Sequence, residues 1–179
     1  MPEVMIIKQK SVIIGDNGEA FYEHDFANHS SELYDEASRT FTLIKTPDND
    51  RKQIKKSISH IDLFPTLLEL MQLPKPASFQ GFSVFDNDDT RSVFIHNNAM
   101  IQQDALVYWP WKYMITNHPY TEQKLYNLET DPLEKNNLFQ KKNEILNFME
   151  NRLNLISNLQ LEYYKSPHYY MKYAPPRVY

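Results

Sequence analysis

With 179 residues and 41% hydrophobic side chains, the chain can close one ordinary core or form part of a larger one. A net charge of -4 offers no basic stripe for a phosphate backbone, and no apolar run approaches the roughly 20 residues that span a bilayer, so no nucleic acid partner and no membrane segment is expected. Zero cysteines exclude a disulfide framework, a thiolate metal site and a cysteine nucleophile while leaving the compartment undecided, and no signal-peptide h-region opens the chain.

Residues 1–10 read as the end of a helix or an approach segment. Ser11-Val12-Ile13-Ile14-Gly15 is a β-branched run that ends in a turn signal, the pattern of a strand buried on both faces. Ligands in α/β sheets collect at the carboxyl ends of such strands, and Asp16 and Asn17 sit at this one. Gly15 and Gly18 bracket the pair and are two of the three glycines in the chain; they permit φ > 0 or a ligand's close approach. An adjacent carboxylate and carboxamide are hard oxygen donors, which suit Ca2+ or Mg2+ better than the imidazole and thiolate sets that favour zinc. The same residues also make turns for purely local reasons.

A polar loop from Ala20 to Ser31 carries His24 and His29 and runs into a short helix near Leu33 to Glu36. Either imidazole can donate to an anionic substrate or move a proton near neutral pH, and either can equally be a surface histidine. Thr40-Phe41-Thr42-Leu43-Ile44-Lys45 alternates as a second strand beside the first, stopped by Pro47, with a right-handed βαβ crossover between the two. Ile61 to Met71 reads as a helix with Asp62 as N-cap, Pro65 in the first turn and a stripe of Phe64, Leu67, Leu68 and Met71. His60, just before it, suits either substrate contact or a structural role at the helix entry.

Pro74, Pro76 and Gly81 mark a change of texture, which divides the chain into residues 1–74 and 75–179. Residues 91–96, 105–109, 112–116 and 124–128 read as four short strands of an antiparallel meander, with Trp109-Pro110-Trp111 as an aromatic corner. After the turn at Glu129-Thr130-Asp131-Pro132, a helix between about Lys141 and Tyr163 carries Ile145, Met149, Leu153, Ile156 and Gln160 at helical spacing, widened by Leu146, Leu155 and Leu159. The tail with Tyr169, Tyr170, Tyr173, Pro175, Pro176 and Tyr179 is too rich in proline and aromatics for a regular element.

Five blocks, in order, resemble the carboxyl-terminal portion of the sulfatases, members of the alkaline phosphatase superfamily. They are Ile14-Gly15-Asp16-Asn17-Gly18-Glu19; His29 with Leu33-Tyr34-Asp35-Glu36; Ser59-His60-Ile61-Asp62-Leu63-Phe64-Pro65-Thr66-Leu67-Leu68; Gln80-Gly81-Phe82-Ser83-Val84; and Trp111-Lys112-Tyr113 with Leu125-Tyr126-Asn127-Leu128-Glu129-Thr130-Asp131-Pro132-Leu133-Glu134. The resemblance implies an α/β fold: the carboxyl-terminal part of an alkaline-phosphatase-like α/β sheet, then a small antiparallel sheet with a C-terminal helix. It implies that Asp16 and Asn17 are metal ligands, for Ca2+ with Mg2+ or Mn2+ as alternatives, and that His29 contacts the substrate's sulfate. The implied activity is hydrolysis of a sulfate ester; a phosphoester hydrolase, a phosphoethanolamine or glycerophosphate transferase, or a non-catalytic binding module are the alternatives.

The family's formylglycine nucleophile and first pair of Asp ligands have no counterpart here. The chain therefore resembles the last third or so of a larger enzyme, inactive alone, with the amino-terminal part of that enzyme as its partner. Three positions depart from the family pattern: Gly15 where serine is common, Asp25 in place of a usual glycine, and Thr40-Phe41 without the usual proline. They bear on the loop between the strands rather than on the metal pair.

Overall fold

The computed structural model describes residues 10–29, 32–47, 53–86, 91–141 and 144–165. The approach segment read at 1–10, apart from Lys10, and the aromatic tail lie outside them. Strand β1 (Ser11–Ile14) leads into a short hairpin of β2 (Ala20–Phe21) and β3 (Ala27–Asn28), then a single helical turn α1 (Asp35–Ser38), then β4 (Thr42–Lys45). β1 and β4 pair antiparallel, Val12 opposite Ile44, so the parallel βαβ unit expected from the sequence is not formed. The connection holds the β2–β3 hairpin and a single helical turn rather than the crossover helix that parallel pairs ordinarily use. Nor is β1 buried on both faces, since Ile13 is 60% exposed.

The next helix also differs from the expectation. A 3-10 turn (His60–Asp62) precedes α2 (Leu63–Leu70), and the Asp62 carboxylate makes no cap to α2. It reaches back instead, accepting the Ser59 amide at 2.7 Å and the Phe82 amide at 2.9 Å, and it pairs with the buried Arg91 guanidinium at 2.7 Å. Thr66 donates to the Asp62 carbonyl at 2.6 Å and accepts the Val84 amide at 3.0 Å. The motifs around Asp62 and Gly81 thus knit two segments together. Pro65 and Thr66 are the buried residues of α2, whereas Phe64 and Met71 of the expected apolar stripe are exposed.

Residues 93–127 form the expected meander, an antiparallel sheet in the order β5 (Val93–Asn98), β6 (Gln102–Tyr108), β7 (Trp111–His118) and β8 (Glu122–Asn127). Its side chains alternate between two covered faces, as the two-residue period requires. Leu106, Tyr113 and Leu125 meet Leu146, Met149, Leu153 and Ile156 of α3 (Glu144–Lys165), so the apolar stripe of the long helix covers the meander. Ala105, Met114 and Tyr126 meet Leu33 and Tyr34, the segment entering α1. Lys112 and Lys124, at the polar phase of this second face, are buried there against acidic partners.

Candidate metal centre

Asp16 and Asn17 leave the end of β1 on a loop anchored on both sides. Gly15 donates its amide to the Phe41 carbonyl at 3.1 Å, and Gly18 donates to the Ala37 carbonyl at 3.1 Å. Neither glycine has positive φ. Their role is close approach by the chain itself: a Cβ on Gly15 would strike Thr40 Oγ1, and one on Gly18 would strike the Glu36 carbonyl. His60 completes the anchorage, with Nε2 3.0 Å from the Gly15 carbonyl, the structural of its two readings.

Both side chains of the pair are exposed. Asp16 Oδ1 accepts the Asn17 amide at 3.0 Å, and Asn17 Nδ2 donates to the Gly18 carbonyl at 2.6 Å. Among the described residues, Asp16 Oδ2 and Asn17 Oδ1 have no hydrogen-bond partner. Using up the amide nitrogen leaves the carboxamide's only metal-competent atom open, so the donor chemistry fits a hard divalent cation. No group of three or more His, Cys, Asp or Glu able to hold a metal occurs among the described residues. The pair therefore offers two ligand side chains of the about six to eight oxygens that Ca2+ takes.

The β2–β3 hairpin returns His29 toward this loop. Ala20 lies opposite Asn28, which brings the flanking Glu19 and His29 together, with Nδ1 3.0 Å from Glu19 Oε2. The carboxylate orients a ring that is half exposed and leaves Nε2 without a partner among the described residues. His24 sits differently. Its Nδ1 is 2.5 Å from Glu36 Oε1, its Nε2 is 3.2 Å from the Glu134 carbonyl, and the ring stacks on Tyr34 at 3.6 Å. Both nitrogens face acceptors within a packed setting, so the ring is not presented to a ligand.

A cavity of about 450 Å3 opens between Ile54, Lys56, Val84, Asp86, Arg91 and Trp109, and none of Asp16, Asn17, His24 or His29 lines it. Lys56 donates to the Asp86 carbonyl and Arg91 Nη2 to Asp62, whereas the buried Arg91 Nε and Nη1 have no hydrogen-bond partner among the described residues.

Residues 12–73 match the Sulfatase family model. The uncharacterized sulfatase YidJ of Escherichia coli is 27% identical over 135 residues, which are 71% of this chain and 27% of that protein. Over these residues the chain is similar to sulfatases. Arylsulfatase K of Bos taurus is 24% identical over 170 residues, 84% of this chain and 31% of that protein. Among solved structures, a putative sulfatase from Bacteroides thetaiotaomicron superposes with a TM-score of 0.68 at 21% identity, over 88% of this chain and 38% of that one. A protein solved with its substrate D-glucosamine-2-N,6-O-disulfate superposes with a TM-score of 0.67 at 19% identity, over 83% of this chain and 34% of that one. The chain spans between about a quarter and a third of the length of the curated relatives it matches.

The region matched by the sulfatase model contains the Asp16–Asn17 loop, the hairpin, α1, β4 and α2. Reading the residues one by one missed Glu19 as the partner of His29, because a two-residue strand leaves no alternation to detect. It also missed Lys112 and Glu134 as groups tied to α1, since their partners lie 77 and 99 residues away in sequence.

Proposed function

We propose that Asp16 and Asn17 are ligands of a Ca2+ ion in a sulfatase-type sulfuric ester hydrolase, and that His29 contacts the sulfate group of the substrate. The observation that carries this reading is the exposed pair at the end of β1, anchored by glycine amides, with Asp16 Oδ2 and Asn17 Oδ1 open among the described residues. The similarity of residues 12–73 to the Sulfatase family model supports it. Bound Ca2+ supplies positive charge that stabilises negative charge on sulfuryl oxygens.

The chain's own residues hold and orient. Asp16 and Asn17 present two hard oxygens at a fixed place. Glu19 accepts His29 Nδ1–H, and the ring with both nitrogens protonated then offers Nε2–H to an anion. The remaining ligands and the nucleophile come from residues outside this chain, so on this reading it forms half of the cation site and does not turn over substrate alone. The substrate is a sulfate ester, in keeping with the disulfated glucosamine of one structural relative.

Hydrolysis of p-nitrophenyl sulfate tests the assignment, with p-nitrophenyl phosphate run in parallel. The chain alone is expected to show no turnover. In the complete enzyme containing it, Asp16→Ala and His29→Ala should each lower kcat/KM for the sulfate ester by about 100-fold or more. Turnover by the chain alone, or an unchanged kcat/KM in Asp16→Ala, contradicts the assignment, and preference for the phosphate ester moves it to the alternative chemistry.

A further inference from the structure

Three sequence blocks take no part in the proposed chemistry, yet they meet at one buried point. Lys112 Nζ on β7 lies 2.8 Å from Asp35 Oδ1, the first residue of α1, and 3.0 Å from Glu134 Oε1, beyond β8. The second contact is an ion pair without hydrogen-bond alignment, since Glu134 Oε1 has no hydrogen-bond partner. Lys112 is 0% and Glu134 1% exposed. The other carboxylate oxygen, Glu134 Oε2, accepts the Asp35 amide at 2.6 Å. His24 joins the same cluster through Glu36 and the Glu134 carbonyl.

What the cluster holds is α1. A single helical turn has too few internal hydrogen bonds to persist alone, and this one has no side-chain cap from Tyr34. Glu134 satisfies an amide in its first turn that no intrahelical carbonyl can reach, and Lys112 neutralises Asp35 beside it. In turn, α1 fixes the candidate cation loop, because Ala37 accepts the Gly18 amide and Gly18 lies against the Glu36 carbonyl. His24 ties the hairpin that carries His29 to the same turn.

We propose that Lys112, Glu134 and His24 are positioning residues: the antiparallel meander sets the Asp16–Asn17 loop and the His29 hairpin through the buried Lys112–Asp35–Glu134 cluster. Its consequence for cation binding rests on the assignment of Asp16 and Asn17 above. The meander is then part of the site's construction.

Amide hydrogen exchange on the full chain tests this without any metal. In Lys112→Met and in His24→Gln, the Gly18 amide should exchange at least about tenfold faster relative to Leu106 and Met114, whose amides report opening of the meander. If Gly18 accelerates no more than Leu106 and Met114, the cluster is ordinary packing and the proposal is wrong. Should Lys112→Met fail to fold, His24→Gln decides by the same ratio. A parallel Ca2+ titration of the Asp16 and Asn17 amide shifts should weaken about tenfold or more in His24→Gln. Unresponsive wild-type shifts would remove the cation assignment while leaving the exchange result to decide the clamp.

Discussion

Asp25, where the resemblance leads one to expect glycine, has a φ of 64° in the left-handed region, in a turn closed by the Tyr22 amide on the Phe26 carbonyl at 2.8 Å. Aspartate tolerates that region better than most residues because its short side chain bonds locally. Asp25→Val should therefore cost about 1–2 kcal/mol in urea unfolding, while Asp25→Gly should change stability by only a few tenths. A loss in Asp25→Gly equal to that in Asp25→Val would mean that the side chain, and not the backbone, sets the turn. Gly15 and Thr40 form a similar pair of departures. A serine at 15 would need the space that Thr40 Oγ1 occupies, so the two changes suit each other. In sequence these positions show only as deviations, because φ and close approach are written in the chain's path rather than in residue type.

Short elements are where reading the residues fell furthest from the structure. The meander and α3 were legible because each repeats its period several times, two residues in β5–β8 and 3.6 in α3. β2, β3 and α1 are two, two and four residues long and carry no period, so their arrangement is decided by distant partners. The segment Glu32–Tyr34 shows those partners at work. Lys124 Nζ lies 2.7 Å from Glu32 Oε2 and 2.9 Å from Tyr34 Oη, and burial that would lower its pKa is outweighed by the Glu32 and Glu122 carboxylates, which hold it above its usual 10.5. Burial raises the Tyr34 and Tyr126 hydroxyls above their usual 10.0, and the two hydroxyls lie 3.4 Å apart.

Both effects have the same sign. Above pH 10.0 for the tyrosines and 10.5 for Lys124, the unfolded chain loses protons that the folded chain retains, so stability falls as pH rises beyond these values. The stabilisation is fully present below them. Tyrosinate absorbance followed with urea midpoints through the alkaline range should show Tyr34 and Tyr126 ionising together with loss of the fold. Smooth ionisation in a chain of unchanged stability would contradict this placement of the network.

At the scale of the whole molecule, the described chain has one well-covered region and one open one. The meander is covered by α3 on one face and by Leu33 and Tyr34 on the other, while Ile13, Leu43 and Phe64 on β1, β4 and α2 are exposed. The sequence blocks that carry the resemblance divide accordingly. Those around Asp62, Gly81, Lys112 and Glu134 make buried connections, and the block around Asp16 ends in side chains open to solvent. Calcium titration of the 179-residue chain, followed through backbone amide shifts, tests the central assignment most directly. Shifts should concentrate at Asp16, Asn17 and Gly18, saturate at weak affinity of about 1 mM as expected of a two-ligand site, and vanish in Asp16→Asn. Shifts scattered over other acidic surface, or none at Asp16 to Gly18, would contradict it.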